Sequence, residues 1–569
     1  MWDWLKNLMP NSGAKPGSRD FALRQLFNSW EAYRLARRDR PRESYQPHGY
    51  SGDTAVISSR DLMGRRTRDL ARNTAQAKRI RNMLVDLIVG TGVQTFAWPF
   101  APAELYQLVT EIESLGAGDF GPRLTYALES DDLFEQWFND PKQFDVEGRL
   151  AGPDVCRMLM GDSVLVGTGL LVRTFVKDYK TVPLAYQLME AEQLDESKDR
   201  PASPGKNKII GGREIDGRNR VVAYHLYLDH PHEFFATGQS SLMGAGAPLS
   251  MGSRQVVIPA DRIIDLTLFD RPSASGAVSW LDAVGQTIWD RDSYVGDEIR
   301  SAAIDAVFAV AVFLNDAQKY GALGFDDGLD DNDENGNRQY KVGHSPAAAV
   351  LEKDEKFEMI RQTRPNKDAP SFLELLDRDI AAGSRLSYYS VTGDYKSTSF
   401  SSARAAKLDE DLGIAPLQNW FARTVSVPIR VEFNLLAAAA GLLRSVSPAE
   451  FRRNAAIYQR FDAIGNGRDL LDPYKEGEAR TTRLRTCIST FKEECARRGK
   501  HWIRVLIQKK VEEKVADLLG VTLDFSKGGG SSSMATGGTT DDSDGKVSDE
   551  QADEIADRVA DRLESILRK

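Results

Sequence analysis

An acidic loop is the first place where the sequence could bind a metal ion. Asp331, Asp333, Asn335 and Gly336 match the first half of an EF-hand calcium loop, in which alternate side chains supply oxygen ligands. At the twelfth position, where such a loop needs a bidentate glutamate, the chain has Val342. We therefore interpret this stretch as a solvated acidic loop and predict no calcium site in it.

The histidines and the glycine-containing motifs also lack residues that a metal site or a phosphate site requires. His225, His230 and His232 lie near one another in the chain, but the cysteine or further histidine ligands that zinc prefers are lacking. The motif V-G-T-G occurs at 89–92 and at 166–169, and neither copy continues into the Lys-Ser/Thr pair with which a P-loop holds phosphate and magnesium. No G-x-S-x-G nucleophile motif is present. We predict no metal, no cofactor and no catalytic residue, and hence a protein that is not an enzyme.

Basic side chains in polar surroundings are the remaining candidates, because lysine and arginine contact the phosphates of nucleic acids. A polar loop at 392–399 surrounds Tyr395 and Lys396, and a helix is expected from about Phe400. The residues of interest lie in this loop, at the start of the helix and in a later basic cluster: Tyr395, Lys396, Arg404, Lys407, Arg497, Arg498 and Lys500. For each of them, a solvated or interface-paired charge is the alternative.

The composition limits the kinds of protein that could carry these residues. A chain of 569 residues, with 41% hydrophobic and 28% charged residues, predicts a soluble protein of about two to four domains. The formal net charge of -9 argues against wholesale wrapping by nucleic acid, since tight phosphate binders are usually basic, but it suits a conduit wall that touches DNA at few places.

Cysteine usage and hydropathy indicate the compartment. The three cysteines, an odd number at wide spacing, predict a reducing compartment without a disulfide framework. The longest apolar run, 306–314, is far shorter than the roughly 20 residues of a membrane-spanning helix. We expect a soluble intracellular protein, or part of a particle assembled inside a cell, with no membrane partner.

The first half of the chain is predicted to contain helices followed by a β-rich region. One helix is expected over Ser58–Val89, capped by Ser59, with an arginine-rich outer face that we interpret as solvated. Further on, the run DSVLVGTGLLVRTF is interpreted as two buried strands that turn at Gly167–Gly169. Short β-branched runs then predict a β-rich domain over about 150–270.

Two long helices are predicted to bracket an insert in the second half. They cover 279–314 and 369–391, on either side of an insert at 315–368 that combines the acidic loop with a strand-like stretch. Later helical segments are expected around 433–443, 448–461 and 475–519.

The helix that follows the polar loop is predicted to be amphipathic and kinked. Its apolar residues recur at spacings of three and four, as on one face of a helix: Ile414, Leu417, Phe421 and Val425. Gly413 and Pro416 interrupt the pattern, and a proline inside a helix removes a backbone donor. We therefore expect a bend in this helix.

Several stretches resemble one known family, the portal proteins of lambda-like tailed phages. The run Y-K-S-T-S-F-S-S-A-R-A from Tyr395 resembles the tunnel loop and the helix after it. The motif D-P-x-K-E-x-E-A from Asp472, then T-x-x-E-E-x-A-x-x-G from Thr490 and a V-L-x-Q helix, resemble the carboxy-terminal signature of that family. A strand that leads through Arg271-Pro272 into a long helix is also similar. The resemblance covers roughly 55–525.

The resemblance implies an α+β fold, namely a portal-type subunit with long stem and tunnel helices, a β-rich wing, a small mixed clip insert and a helical crown. The expected order is an N-terminal arm (1–57), a wing (58–278), a stem helix (279–314), the clip insert (315–368), a second stem helix (369–391), the tunnel loop and kinked helix (392–428), a C-terminal wing and crown (429–525), a flexible linker (526–548) and a short amphipathic helix (549–569) that docks on a partner or coils with copies of itself.

The same resemblance implies a structural function that involves no catalysis. A portal protein forms a ring, most often of twelve copies, at one vertex of the capsid, and double-stranded DNA passes through it during packaging and ejection. The resemblance therefore makes the residues of interest named above the candidate DNA contacts: Tyr395, Lys396, Arg404, Lys407, Arg497, Arg498 and Lys500. Its partners would be the terminase, the major capsid or scaffold protein and a head-tail connector, with the clip insert as the outer docking end. The protein would reside in the virion, and in the host cytoplasm during assembly.

Two other functions remain open from the residues alone. One is a DNA-processing enzyme of the packaging apparatus with an unrecognised active site, which hydrolysis of ATP or cleavage of DNA by the purified protein would favour. The other is a scaffold or adaptor with no DNA in its path, which a compact monomer without a channel would favour.

Overall fold

The computed structural model of the protein describes residues 49–100, 121–176, 181–231, 255–307, 311–313, 349–351, 368–396, 398–467 and 473–519. Most of the predicted arm and clip insert, including the acidic loop at 331–336, lies outside these residues. The same is true of His232, the predicted linker and the predicted helix at 549–569. Within the described ranges, no helix is both long enough and apolar enough to span a membrane.

Helices dominate the described residues. In chain order they are α1 (Gly52–Asn73), α2 (Ala75–Ile88), α3 (Gly121–Asn139), α4 (Pro141–Phe144), α5 (Gly152–Val166), α6 (Gly285–Val307), α7 (Ala369–Gly383), α8 (Tyr388–Thr392), α9 (Phe400–Phe421), α10 (Val427–Ala439), α11 (Pro448–Arg453), α12 (Ala455–Tyr458), α13 (Pro473–Arg485), α14 (Phe491–Ala496) and α15 (Trp502–Leu519). A five-residue π-helical segment, Ala422–Ser426, joins α9 to α10.

The strands of the described residues form four small sheets. In chain order they are β1 (Gln94–Ala97), β2 (Thr168–Thr174), β3 (Ala185–Met189), β4 (Lys208–Ile210), β5 (Arg213–Ile215), β6 (Val221–Tyr227), β7 (Gln255–Pro259), β8 (Ile263–Thr267), β9 (Ala311–Phe313), β10 (Ala349–Leu351) and β11 (Phe461–Ile464). The sheet orders are β3-β2-β8, β4-β5-β6-β7, β1-β11 and β10-β9; the first three sheets are antiparallel and the last is parallel. The prediction of a mixed α and β fold is confirmed. Seven of the strands, β2 to β8, lie between 168 and 267, and the helix α5 occupies the start of the region predicted to be β-rich, about 150–270.

The predicted single helix over Ser58–Val89 is wrong, because α1 and α2 are separate helices. Helix α1 begins at Gly52 and is capped by Ser51, whose hydroxyl accepts a hydrogen bond from the Thr54 amide at 3.2 Å, and not by Ser59. Thr74 lies between the helices in an extended conformation, and its hydroxyl donates to the Leu70 carbonyl at 2.9 Å. That side-chain bond satisfies an end-of-helix carbonyl and helps to end α1 there.

The arginine-rich face of α1 is only partly solvated, contrary to our interpretation. Arg60 is buried and pairs with Glu196. Arg68 donates to both carboxylate oxygens of Glu192, at 2.6 and 2.9 Å, and to Asp162 at 3.1 Å. These pairs fasten α1 to the β-rich part of the chain, so two of the arginines that looked like solvated charges are structural.

The predicted pair of strands turning at Gly167–Gly169 is also wrong. Residues up to Val166 belong to α5, and only β2 is a strand. Gly167 ends the helix with φ +86°, and a β-carbon there would lie 2.3 Å from the backbone oxygen of Val278. A residue with a side chain fits neither requirement, since positive φ and so close a backbone contact both favour glycine.

Three predicted helix boundaries also differ from the structure. Helix α6 starts at Gly285, and the short strand β9 occupies positions that had been assigned to the helix over 279–314. The helix predicted over 369–391 is divided into α7 and α8. The segment predicted over 448–461 contains two short helices and ends at β11, which pairs with β1. In each case a turn, or a strand partner distant in sequence, determines where the helix begins or ends.

The main core joins helices and strands through aromatic packing. The Trp137 ring lies 5.0 Å from that of Phe144 and 4.9 Å from that of Phe433, and the rings of Phe144 and Tyr186 are 5.3 Å apart. These residues come from α3, α4, α10 and β3, and all four are at most 2% exposed. Aromatic pairs at such distances add to the stabilisation that burial provides.

A buried ion pair, Asp131–Arg430, connects α3 to α10. Arg430 is fully buried, and its guanidinium donates to the Asp131 carboxylate at 2.6 Å and to the Ser130 hydroxyl at 2.9 Å. The guanidinium also lies 4.3 Å from the centre of the Phe134 ring. Burial raises the pKa of Asp131 and lowers that of Arg430, since both ions have left water. Each charge therefore depends on the other.

We predict that Arg430→Met lowers the melting temperature of the protein by several degrees. The substitution leaves the Asp131 carboxylate buried without its partner, which in other proteins costs about 3–5 kcal/mol. Arg220→Met is the matched control, because Arg220 pairs with Asp216 at the surface, where a pair contributes about 1 kcal/mol or less. Equal melting temperatures for the two variants would contradict the structural role of the buried pair.

Candidate nucleic-acid interface

The seven candidate DNA contacts occupy three separate places in the structure. Tyr395 and Lys396 lie in an exposed loop between α8 and α9. Arg404, Lys407 and Arg497 line one cleft. Arg498 and Lys500 line a second recess. The structure thus separates Arg497 from the two basic residues next to it in the sequence.

The loop presents one aromatic ring and one cation to solvent. Tyr395 is 59% exposed, and its ring stacks on that of Tyr389 in α8, with centroids 5.6 Å apart and planes 17° apart. The Lys396 amide donates to the Asp394 carboxylate at 2.9 Å, which shapes the turn. Among the residues that the structure describes, no carboxylate lies within salt-bridge distance of the exposed Lys396 ammonium. The cation is therefore available to a ligand.

Both ends of this loop are held in place. At its start, Gly393 ends α8 with φ +73°, and Arg79 of α2 donates to the Ser390 carbonyl at 2.7 Å. At its end, the Ser399 hydroxyl caps α9 by accepting from the Ser402 amide at 3.2 Å. A short loop between two anchored helix ends can hold its tip in one position relative to the core.

Helix α9 is fixed by its buried face. The apolar residues predicted to lie on one face are all buried, and that prediction is confirmed: Ile414, Leu417 and Phe421 in α9, and Val425 in the π segment after it. Glu410 on the same helix accepts hydrogen bonds from the Ser387 amide at 3.2 Å and the Ser390 hydroxyl at 2.6 Å, which ties α9 to α8. Pro416 lies inside the helix, but the change in helical pattern comes later, in the π segment, and not at Gly413.

The second place is a cleft of about 940 Å³ between α9 and α13, which we call the basic cleft. Five cations line it, and of these the sequence analysis missed Arg480 and Arg483; the five are Arg404, Lys407, Arg480, Arg483 and Arg497. Two carboxylates, Asp411 and Glu476, also line it. The α9 wall carries two leucines that are unusually exposed, Leu408 at 56% and Leu412 at 76%.

Glu494 organises three of these arginines from below the surface. It is 6% exposed, and it accepts hydrogen bonds from Arg483 at 2.9 and 3.2 Å. Arg480 and Arg497 each lie 3.6 Å from it. The hydrogen bond from Arg483 lowers the pKa of Glu494, so the glutamate stays charged at neutral pH. One buried anion thus holds three cations along the edge of the cleft.

The third place is a recess of about 760 Å³ between β11 and α15. Its basic residues are Arg498, Lys500, Arg504 and Lys509. Gly467 sits against the backbone of Arg498, where a β-carbon would approach the Arg498 carbonyl carbon to 2.1 Å. Arg504 is directed inward to Asp131 at 3.5 Å and Glu135 at 3.2 Å. Through Arg504, the recess is therefore connected to Asp131, which belongs to the buried ion pair with Arg430.

A possible metal group is formed by residues that the sequence did not connect. One ligand atom each of Glu190, Glu192 and His230 lies within 4.8 Å of the others. The His230 ring nitrogen contacts Glu190 at 3.0 Å, however, and both oxygens of Glu192 accept from Arg68. Because these groups already satisfy one another, we assign no metal site to them.

Comparisons with known proteins agree with one another. The family model described as phage portal protein, lambda family, matches residues 38–418. A curated relative, the probable portal protein of Halomonas phage phiHAP-1, is 23% identical over 500 residues, which cover 86% of each chain.

Solved structures of particle necks also align with the chain. The neck of a native GTA particle, computed with C12 symmetry, has a TM-score of 0.33 and 12% identity over 79% of this chain and 98% of that one. The neck of an empty GTA particle, computed with C6 symmetry, has a TM-score of 0.37 and 10% identity over the same shares. GTA stands for gene transfer agent.

We predict that Glu494→Gln lowers the melting temperature at pH 7 and that this difference disappears in acid. The folded-state pKa of Glu494 is depressed, so its stabilising charge is present above the ordinary glutamate pKa of about 4.3 and is lost as the pH falls through the lower folded value. Thermal melts from pH 7 to about pH 3 measure the difference at each pH.

Glu478→Gln is the control for this experiment, because Glu478 is exposed on α13. It should change the melting temperature little at any pH. A difference between wild type and Glu494→Gln that stays constant across the pH range would show that the charge of Glu494 is not what stabilises the site.

Proposed function

Because the chain belongs to the lambda family of phage portal proteins, we propose that its copies form a closed ring at one vertex of a capsid and that double-stranded DNA passes through the opening. Twelve copies are the number that we propose. The ring would serve packaging and ejection, and it would bind the terminase, the capsid or scaffold protein and a head-tail connector. Its place would be the virion, after assembly in the host cytoplasm.

The exposed loop at Tyr395 and Lys396 is the observation that carries the proposed DNA contact. It is anchored at both ends and directs to solvent the Lys396 ammonium, which has no partner carboxylate within the described part of the chain. In a ring, each copy repeats this cation at the same height, so the loops form a belt of positive charge. Such a belt can hold phosphates without reading the base sequence.

The net charge explains why such contacts would be few. Duplex DNA carries one charge per about 1.7 Å of its axis, so a wall of uniformly basic residues would retain it through release of many counterions. A chain with a formal charge of -9 has an excess of negative charge, which opposes retention of the duplex. Isolated belts therefore guide the DNA, while the acidic remainder of the wall lets it slide.

Arg498 and Lys500 are proposed to form a second belt. Both line the recess next to α15, together with Lys509. Arg404, Lys407 and Arg497 are in a different situation, because the basic cleft also exposes Leu408 and Leu412. A phosphate backbone offers nothing that would cover two leucines, so we propose the DNA contacts at the loop and at the recess rather than at the cleft.

Electron microscopy of the purified protein tests the ring. We expect closed rings with an open channel, and native mass spectrometry should show an integral number of 63.2 kDa subunits. A compact monomer at all concentrations would contradict the proposal. ATP hydrolysis or DNA cleavage by the purified rings would instead favour an enzyme of the packaging apparatus.

We predict that Lys396→Glu impairs DNA packaging or retention while rings still assemble. Reversing the charge replaces each attraction of the belt by a repulsion of phosphate, and the exposed side chain supports no packing. Packaged DNA per particle, measured by nuclease protection, is the readout. Lys206→Glu is the control, because Lys206 is an exposed lysine in the β-rich part of the chain. Normal packaging by Lys396→Glu would remove the loop from the mechanism.

A further inference from the structure

We propose that the basic cleft is the docking site of a segment of this same protein, residues 549–569. The segment lies outside the described residues, and the occupied cleft could belong to the same copy or to another copy. The inference does not depend on the ring, because it rests on the chemistry of the cleft and of the segment.

The cleft requires a partner that is both acidic and apolar. Five cations line the cleft, whereas only two carboxylates do, those of Asp411 and Glu476. The buried Glu494 neutralises a third positive charge, so positive charge remains in excess. On the α9 wall, Leu408 and Leu412 lie one helical turn apart and are more than half exposed. Exposed leucines beside arginines suit an amphipathic acidic helix. Its apolar side can cover the leucines, and its carboxylates can pair with the arginines.

Residues 549–569 have this composition. The sequence DEQADEIADRVADRLESILRK places apolar side chains at spacings of three and four: Ile555, Val559, Leu563 and Ile566. Its first nine residues contain five carboxylates and no basic residue, and the whole segment has seven acidic and four basic residues. Such a short helix is marginal alone in water, so it gains its stability from a surface that buries its apolar side.

The dimensions of the cleft match part of such a helix. The cleft follows α9 from Arg404 to Asn419, which at 1.5 Å per residue is roughly 22 Å. Residues 549–569, if helical, would be about 31 Å long by the same rise. The acidic first half and the first apolar residues therefore fit within the cleft, beside Leu408 and Leu412.

The chain between the structure and the segment is long enough to reach. Helix α15 starts at Trp502, one residue after His501, which lines the recess adjoining the cleft, and it extends for about 26 Å to Leu519. Residues 520–548 include a Gly/Ser/Thr/Asp-rich stretch, and a flexible chain of that length has a root-mean-square span of about 30 Å. Docking on the same copy therefore needs no full extension of this stretch.

Docking would keep the cleft cations away from phosphate. The carboxylates of the segment would pair with Arg404, Arg480 and Arg497, while its apolar side would cover the two leucines. The cleft would then bind the C-terminal segment, and DNA would contact the cations of the loop and the recess. We assign the cleft to the segment and not to DNA because of its exposed leucines, not because of its number of charges.

Disulfide trapping in the full-length protein tests the proposal. Leu412→Cys is combined with Val559→Cys, and the exposed native thiol is removed by Cys487→Ser. Under mild oxidation we expect a disulfide between positions 412 and 559, identified by peptide mass spectrometry, within one copy or between two. The matched control carries Leu506→Cys in place of Leu412→Cys, because Leu506 is a 44% exposed leucine on α15. The control should form the disulfide at least several-fold more slowly.

Equal rates in the two proteins would overturn the proposal, since they would mean that the segment samples both surfaces alike. Absence of the 412–559 disulfide, while both thiols react freely with a maleimide, would overturn it as well. Neither result would affect the ring, which electron microscopy reports separately.

Charge reversal gives a second test that misfolding cannot imitate. Arg404→Glu with Lys407→Glu should slow the trapping several-fold, and Asp553→Lys with Asp557→Lys should do the same. All four substitutions together should restore the rate, because the pairs are again complementary. Failure of the combined variant to recover, although its rings or its circular dichroism match the parent, would contradict charge pairing between the segment and the cleft.

Discussion

The buried pair of Asp131 and Arg430 is the contact on which the arrangement of the C-terminal half depends. Asp131 lies on α3, and besides Arg430 of α10 it accepts the Ala97 amide at 2.8 Å and faces Arg504 at 3.5 Å. One carboxylate thereby connects two helices, the end of β1 and the start of α15. Since such a group is costly to bury without partners, these elements are held to one relative arrangement. The recess and the basic cleft are built on this framework.

Periodicity predicted the elements that are decided locally. The buried face of α9 follows from the spacing of its apolar residues, and short β-branched runs located the β-rich region. The errors occurred where a single hydrogen bond or a distant contact decides. Thr74 ends α1 through its hydroxyl, and Gly167 ends α5 against the backbone of Val278. Neither contact can be predicted from the spacing of hydrophobic residues.

The candidate site was predicted by residue type but not by arrangement. The sequence identified Arg497 and Arg498 as one cluster, whereas at the end of α14 Arg497 lines the cleft and Arg498 lines the recess. Arg480 and Arg483 were not among the predicted contacts, and only the structure reveals Glu494 beneath them. Their spacing of three on α13, directly after the D-P-x-K-E-x-E-A motif, places them on one side of that helix and was a signal that could have found them.

The π segment at 422–426 sets the rotational phase between the two helices it joins. A π turn accommodates one more residue than an α turn, and one residue corresponds to about 100° of rotation around a helix axis. The extra residue lets α9 bury Phe421 while α10, continuing the same chain, still points Arg430 at its buried partner. A deletion of one residue here would leave both helices helical but turn α10 by more than a quarter of a circle. The length of this stretch is therefore constrained in addition to the buried side chains of Ala422 and Val425.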